Sequence, residues 1–423
     1  MLVGLLNALR IPDLRRKLLF TGIMLVLFRL GVHIPAPGIN VEALQRLFEQ
    51  QGNLFNFLDL FVGGALRQFA IFALGVIPYI TASIIMSLLQ VVLPSLKELA
   101  REEGEAGRRK IGMYTRYLTV VLTVVQATGS IVGLRTVLVD SRPLTMALIV
   151  ATITAGTMLL MWMGELMTEH GVGNGVSLII FGGIVARLPF QAAQSIGLAG
   201  VGERSPFAFV FDLVFVLLTI VAVIAVTQAV RKIPVQYAKR VVGRRVYGGQ
   251  ATHLPLKLIQ AGVIPIIFAV SVLQFPRTIA QFTHYGPIER FATVVQVGQP
   301  FGDVLYAVLI VLFTFFYTAV SFDPHDIAEN IKKYGGFIPG MRPGKPTAEY
   351  LTRVTDRLTF VGGLVLAAVA VVPLYLSALV RGTGFFTIYL AGTSVLIVVG
   401  VALETMKQIE AFVLMRHYEG FMR

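Results

Sequence analysis

Apolar residues run along this chain in long blocks, not at the three-and-four spacing of a soluble amphipathic helix. Ten blocks stand out: 18–32, 69–93, 111–134, 144–167, 176–189, 207–230, 258–275, 304–322, 358–379 and 385–403. Each predicts a helix, and about 20 apolar residues suffice for one bilayer crossing. The second block has no charge for about 25 residues. It is fused directly to a different kind of segment, 54–67, which is apolar but holds Asp59, Arg67 and the pair Gly63-Gly64. Glycine and charge make 54–67 a poor span. Gly75 and Pro78 then soften the start of the span that follows.

Composition agrees with a membrane protein. Of 423 residues, 56% are hydrophobic and only 14% are charged, where a soluble domain carries about a quarter. The formal net charge of +13 would suggest nucleic acid in a soluble protein; here it suggests basic cytoplasmic loops. There is no cysteine, so neither disulfide nor thiolate chemistry is expected. The first residues carry no cleavable-leader pattern.

Loop charge sets the topology. With the first residues inside, the inner segments are 94–110, 168–175, 231–257, 323–357 and the tail, and they hold most of the Lys and Arg. If 54–67 crossed as well, every later loop would flip and the basic run from Arg231 to Lys257 would face outward. So 54–67 is expected to begin and end on the outer side. If it dips into the membrane, protein must enclose it, because lipid cannot satisfy irregular backbone. Ten spans divide into two sets of five, and an odd number per set forces opposite orientations, an inverted repeat.

Glu165, Asp303, Asp323, Asp356, Arg357 and Glu404 all fall near span ends, and no carboxylate, lysine or histidine holds a midplane position. Ion-coupled transporters and intramembrane enzymes need such groups. A secondary transporter of a small solute, also an inverted repeat with broken helices, is the rival reading. Of the inner stretches, 231–257 has seven Lys/Arg and no acid. Topology or lipid contact alone would explain a few of those charges. Its length points to docking of a polyanion such as ribosomal RNA. In 323–357 the run IPGMRPGKPT is not a phosphate loop: the glycine spacing is wrong and Pro346 follows Lys345. It reads as an exposed turn that presents Arg342. HGVGNG at 170–175 reads as a tight turn with a surface histidine.

Six stretches together resemble the SecY/Sec-alpha family of protein translocase channel subunits: 63–85, 170–189, 237–257, 261–268, 337–347 and 392–405, in the same order. The resemblance implies an all-α polytopic fold with ten transmembrane helices in two pseudo-symmetric inverted five-helix halves, 1–190 and 191–423, around a central pore. It implies a plug near 57–67, with Phe57, Asp59, Gly63, Gly64 and Arg67. It implies a pore ring of Ile80, Ile84, Ile180, Ile184, Ile267 and Ile397, suited by chemistry because isoleucine offers no charge or hydrogen bond to a passing chain. Ser87, Gln90 and Gln260 stand at the implied lateral gate; Ile259 occupies a position where the family often has asparagine. Lys239, Arg240, Arg244, Arg245 and Arg342 would contact the SecA motor or the ribosome, through its RNA and proteins at the exit tunnel. SecE, SecG, signal peptides, nascent chains and membrane lipids complete the implied partners. The implied site is the cell membrane with both termini cytoplasmic, and neither cofactor, metal nor enzymatic reaction is expected.

Overall fold

The computed structural model describes residues 11–50, 59, 62–102, 104–134, 137–140, 142–200, 206–237, 240–242, 245–247, 251–260, 262–283, 286–379 and 393–421. Phe57, Lys239 and Arg244 lie outside the described residues.

The chain is mostly helical. In the first half come α1 (Pro12–Gly31), α2 (Val41–Gln50), α3 (Ile77–Val92), α4 (Pro94–Glu102), α5 (Gly104–Gly133), α6 (Pro143–His170) and α7 (Gly175–Gly200). The second has α8 (Pro206–Gln228), α9 (Ile264–Thr283), α10 (Gly286–Val294), α11 (Pro300–Ser321), α12 (Pro324–Lys333), α13 (Lys345–Leu379) and α14 (Thr393–Phe421). Proline stands in the first turn of α1, α3, α6, α11 and α12, where its missing N–H costs nothing and its fixed φ suits a helix start. Helices over Gly104–Gly133, Pro143–His170 and Lys345–Tyr375, and the stretch Pro300–Lys333, are long and apolar enough to cross a membrane, and α3, α7, α8 and α9 contain shorter apolar runs. Large apolar side chains on the outside of α1 and α8, such as Leu19, Val26, Leu217 and Leu218, are exposed, as a lipid-facing surface requires.

Most apolar blocks form helices, but the second starts late. The pattern predicts a helix from residue 69; the structure begins α3 at Ile77, and 62–76 runs as consecutive turns. Phe69 holds φ 43°, which no helix permits, and Pro78 suits a helix start. The turn segment is tied to residues 34–36 after α1: Ala36 N–H donates to Phe69 O at 2.9 Å and Ile71 N–H to Ile34 O at 3.0 Å. Phe69 and Ala73 are buried with Leu44, Ile131, Ile149 and Ile153 in a small outer core.

The expectation of an all-α chain is corrected in 231–257. This loop forms strands β1 (Val230–Tyr237), β2 (Arg240–Val242), β3 (Arg245–Tyr247) and β4 (Ala251–Lys257), and β5 (Gly336–Phe337) follows from the next loop. The sheet order is β4-β1-β5, with β2 and β3 a separate hairpin. Charge masks an alternation that is present: Ile233 and Val235 are buried while Lys232, Pro234 and Gln236 are exposed. Pro234 is tolerated in the middle strand because β5 pairs only with Gln236 and Tyr237, leaving the proline edge without a partner strand. The buried face rests on α12 and the base of α13 through Ala328, Ile331, Leu351 and Val354.

Candidate functional site

The five helices α1, α3, α5, α6 and α7 meet the other half along two lines. On one, α9 packs against both α3 and α5; on the other, α14 and α8 pack against α7. A cavity of about 1260 Å³ lies among α3, α5, α6, α7, α9 and α11. Glu105, Arg108, Arg109 and Glu169 line it, and Arg116, also in its lining, binds Glu165 with two hydrogen bonds of 3.1 and 2.8 Å. Ile80, Ile180 and Ile267 line it as well. The same three isoleucines, with Val76, Ile77, Val270 and Ser271, also line a separate void of only about 20 Å³. Three isoleucine side chains from three helices, α3, α7 and α9, therefore border both spaces.

The other three isoleucines singled out by resemblance stand differently. Ile84, Ile184 and Ile397 are buried in the same core cluster but line neither cavity. At the gate positions, Ser87 borders the wide cavity, and its hydroxyl donates to Ser83 O at 2.8 Å within its own helix. Gln90 and Gln260 are half-buried. Ile259 is buried in the core.

Segment 59–76 is held by charge as well as by packing. Asp59 is fully buried (0% exposed). Its Oδ1 accepts the N–H of Leu66 at 2.9 Å and of Arg67 at 3.1 Å, so the carboxylate closes the turn of its own segment. Its Oδ2 pairs with Arg187 Nη1 at 2.7 Å, and Arg187 is itself 12% exposed. Arg29 from α1 donates from Nη1 to Gly63 O at 2.6 Å. Gly63, at φ +70°, touches α7: a Cβ there would sit 2.8 Å from the Cα of Gly183. From sequence alone, Arg29 and Arg187 look like no more than charges near span ends. The signal that could have found Arg187 is a spacing: Ile180, Gly183, Ile184 and Arg187 fall at i, i+3, i+4 and i+7, one stripe of α7.

The turn at 170–175 is also a joint. Gly173, at φ +84°, donates its N–H to Gln408 Oε1 of α14 at 2.9 Å, and Val172 N–H donates to Thr21 Oγ1 of α1 at 3.2 Å. Lys17 lies over the Phe412 ring at 4.5 Å, and Leu14, Val172 and Ile409 share a small core. Asp303 is a cap: buried, it accepts Gly298 N–H at 2.7 Å where α11 begins.

On the sheet, Arg231, Lys232 and Lys257 are exposed. Arg240 and Arg245 stand in the β2–β3 hairpin, opposite Tyr247 and Val242. Arg342 is exposed in a loop with Gly340 and Gly344 at positive φ, and its carbonyl accepts the Thr347 hydroxyl at 2.9 Å.

Comparison with known proteins gives the family of the chain. A family model described as SecY matches residues 70–406. The protein translocase subunit SecY of Halalkalibacterium halodurans is 49% identical over 429 residues, covering 99% of each chain. That of Streptomyces galbus is 46% identical over the whole of both, and that of Thermus thermophilus is 46% identical over 100% of this chain and 98% of its own. Among solved structures, one described as a protein conducting channel aligns with a TM-score of 0.68 at 19% identity, covering 93% of this chain and 91% of its own. Another, on the plug domain of SecY, aligns with a TM-score of 0.64 at 18% identity, with the same coverage. A multi-pass membrane protein by its apolar helices, the chain belongs to the SecY family.

Proposed function

We propose that the protein is the channel subunit of a plasma-membrane protein translocase, passing unfolded secretory proteins outward and releasing transmembrane segments sideways into lipid. The observation that carries this reading is that Ile80, Ile180 and Ile267 border both the cavity of about 1260 Å³ and a void of about 20 Å³. In this reading the cavity admits an unfolded chain and the three isoleucines, which hold no charge, form the constriction. An apolar constriction excludes water and ions until something pushes through it, and isoleucine makes no hydrogen bond that would hold a passing backbone. In this reading Ile84, Ile184 and Ile397 back the three lining residues and join them as the ring widens.

Residues 1–190 and 191–423 are the two inverted halves, with ten spans in all and both termini cytoplasmic. Segment 57–67 is the plug beyond the ring. The line where α9 meets α3 and α5 is the lateral gate, shut in this arrangement, with Ser87, Gln90 and Gln260 beside it. The basic sheet and the Arg342 loop are the docking platform, to which the ribosome and SecA bind in turn. SecE and SecG join in the membrane. The conduit is passive rather than enzymatic, so its partners and the membrane potential supply the work. The relatives of nearly half identity are translocase subunits, which disfavours a small-solute transporter.

The chain has no cysteine, so introduced ones report without background. A precursor arrested in transit is expected to crosslink to Ile80→Cys, Ile184→Cys and Ile267→Cys, and not to Leu19→Cys on the exposed face of α1. Import without any adduct at the three ring positions would overturn the reading.

A further inference from the structure

The structure fastens the plug and the residues that follow it differently. Residues 69–73 are tied by backbone hydrogen bonds to residues 34–36 and buried in the outer core. Residues 59–67 have no such strand partner among the described residues; side-chain contacts hold them. We infer that Asp59 and Arg187, steadied by Arg29, form a latch that seats the plug, and that Arg187 is its positioning residue on the channel wall. The inference rests on the channel reading above.

Three observations converge on it. A carboxylate that is completely buried needs compensation for its lost water, and Asp59 receives it from two N–H groups and one guanidinium. The N–H groups belong to the plug itself and travel with it. The guanidinium belongs to α7 and does not, so unseating the plug means separating this ion pair. Second, Arg29 grips the backbone at Gly63 O, and Gly63 lies flat on Gly183, so the glycine pair brings the plug close enough for the ion pair to form. Third, the α7 stripe that carries Arg187 also carries Ile180 of the constriction. A chain that spreads the ring by moving α7 therefore draws the guanidinium away from Asp59. Ring widening and plug release become one event.

The cluster also carries more positive than negative charge. Arg29, Arg67 and Arg187 all lie within electrostatic reach of the single carboxylate or of one another. Removing the negative charge leaves cations facing each other, which favours the unseated plug.

The test is a charge cycle read as ion leak through vesicles that carry the full chain with its membrane partners. Asp59→Asn keeps an Oδ1 acceptor for the two N–H groups but removes the charge. It is expected to raise leak about a hundredfold, because a buried cation has lost its partner. Adding Arg187→Gln removes that stranded cation, so the double variant is expected to leak about tenfold less than Asp59→Asn alone. Arg187→Lys, which keeps the charge, should stay within a few-fold of the parent chain. Leaks that accumulate from single to double variant would overturn the latch. If Asp59→Asn does not accumulate in the membrane, Arg187→Gln against Arg187→Lys decides: equal leaks overturn it, and a seal kept only by lysine supports it. The same vesicles report import of a signal-bearing precursor. Failure of the parent chain to import strikes the channel reading itself; import with accumulating leaks strikes the latch alone.

Discussion

At the scale of single residues, function here depends on where apolar side chains stop and charges begin. Ile180 lines both the cavity of about 1260 Å³ and the void of about 20 Å³, the neck in the channel reading. Ile180→Asn places hydrogen-bonding groups in that neck, and a wetted neck conducts. Ion leak through vesicles is expected to rise, while precursor import persists. Gly63→Ala tests the seat of the plug. The left-handed backbone costs an alanine about 1–2 kcal/mol. Its Cβ would also meet Gly183 at 2.8 Å. Loss of that much seating energy shifts a closed–open balance by about tenfold, so leak should rise by that order with no loss of protein from the membrane. The isoleucines are legible only by family resemblance, since any of them alone reads as packing. Arg187 is legible from spacing, but a charge near a span end also reads as a simple boundary marker, and that reading hides its partner 128 positions earlier.

At the scale of elements, most long apolar blocks are helices, as their pattern predicts, because burial in lipid leaves the backbone no other choice. Their ends are less legible. α3 begins eight residues later than the apolar pattern predicts, since tertiary hydrogen bonds to residues 34–36 pull 69–71 out of helical geometry. α13 begins well before its apolar block, at Lys345, because its first turns pack on the β4-β1-β5 sheet. The turn at 170–175 is legible as a turn but not as a clamp, since Gln408 is distant in sequence and polar residues in a tail read as solvated. Gln408→Ala leaves the Gly173 N–H without its acceptor, which costs about 1–3 kcal/mol if water cannot replace it. The expected result is a fall of a few degrees in the melting temperature of the purified chain in detergent. Gln408→Glu, which keeps an acceptor oxygen, should recover most of it.

At the scale of the whole protein, α9 meets α3 and α5 along one line, α14 and α8 meet α7 along another, and basic residues gather in 231–257. That clustering is plain in the order of residues alone, and positive-inside topology gives a reason for it. What the order of residues conceals is that this basic loop is folded. Its strands hold Arg231, Lys232 and Lys257 on a sheet whose third strand, β5, comes from the loop that carries Arg342. Arg342→Glu is expected to weaken ribosome co-sedimentation and precursor import while leaving the amount of membrane-inserted chain unchanged, and the parent's binding should weaken as ionic strength rises. Normal import by this variant would remove Arg342 from the platform. The sheet also has a consequence for how the protein is made. β1 and β4 are complete by residue 257, but β5, which pairs with Gln236 and Tyr237, is synthesised only after α9 and α11. A nascent chain that ends between them carries β1 with its edge at Gln236 and Tyr237 still open. On the docking role proposed above, the surface is complete only once residues 336–337 have been made.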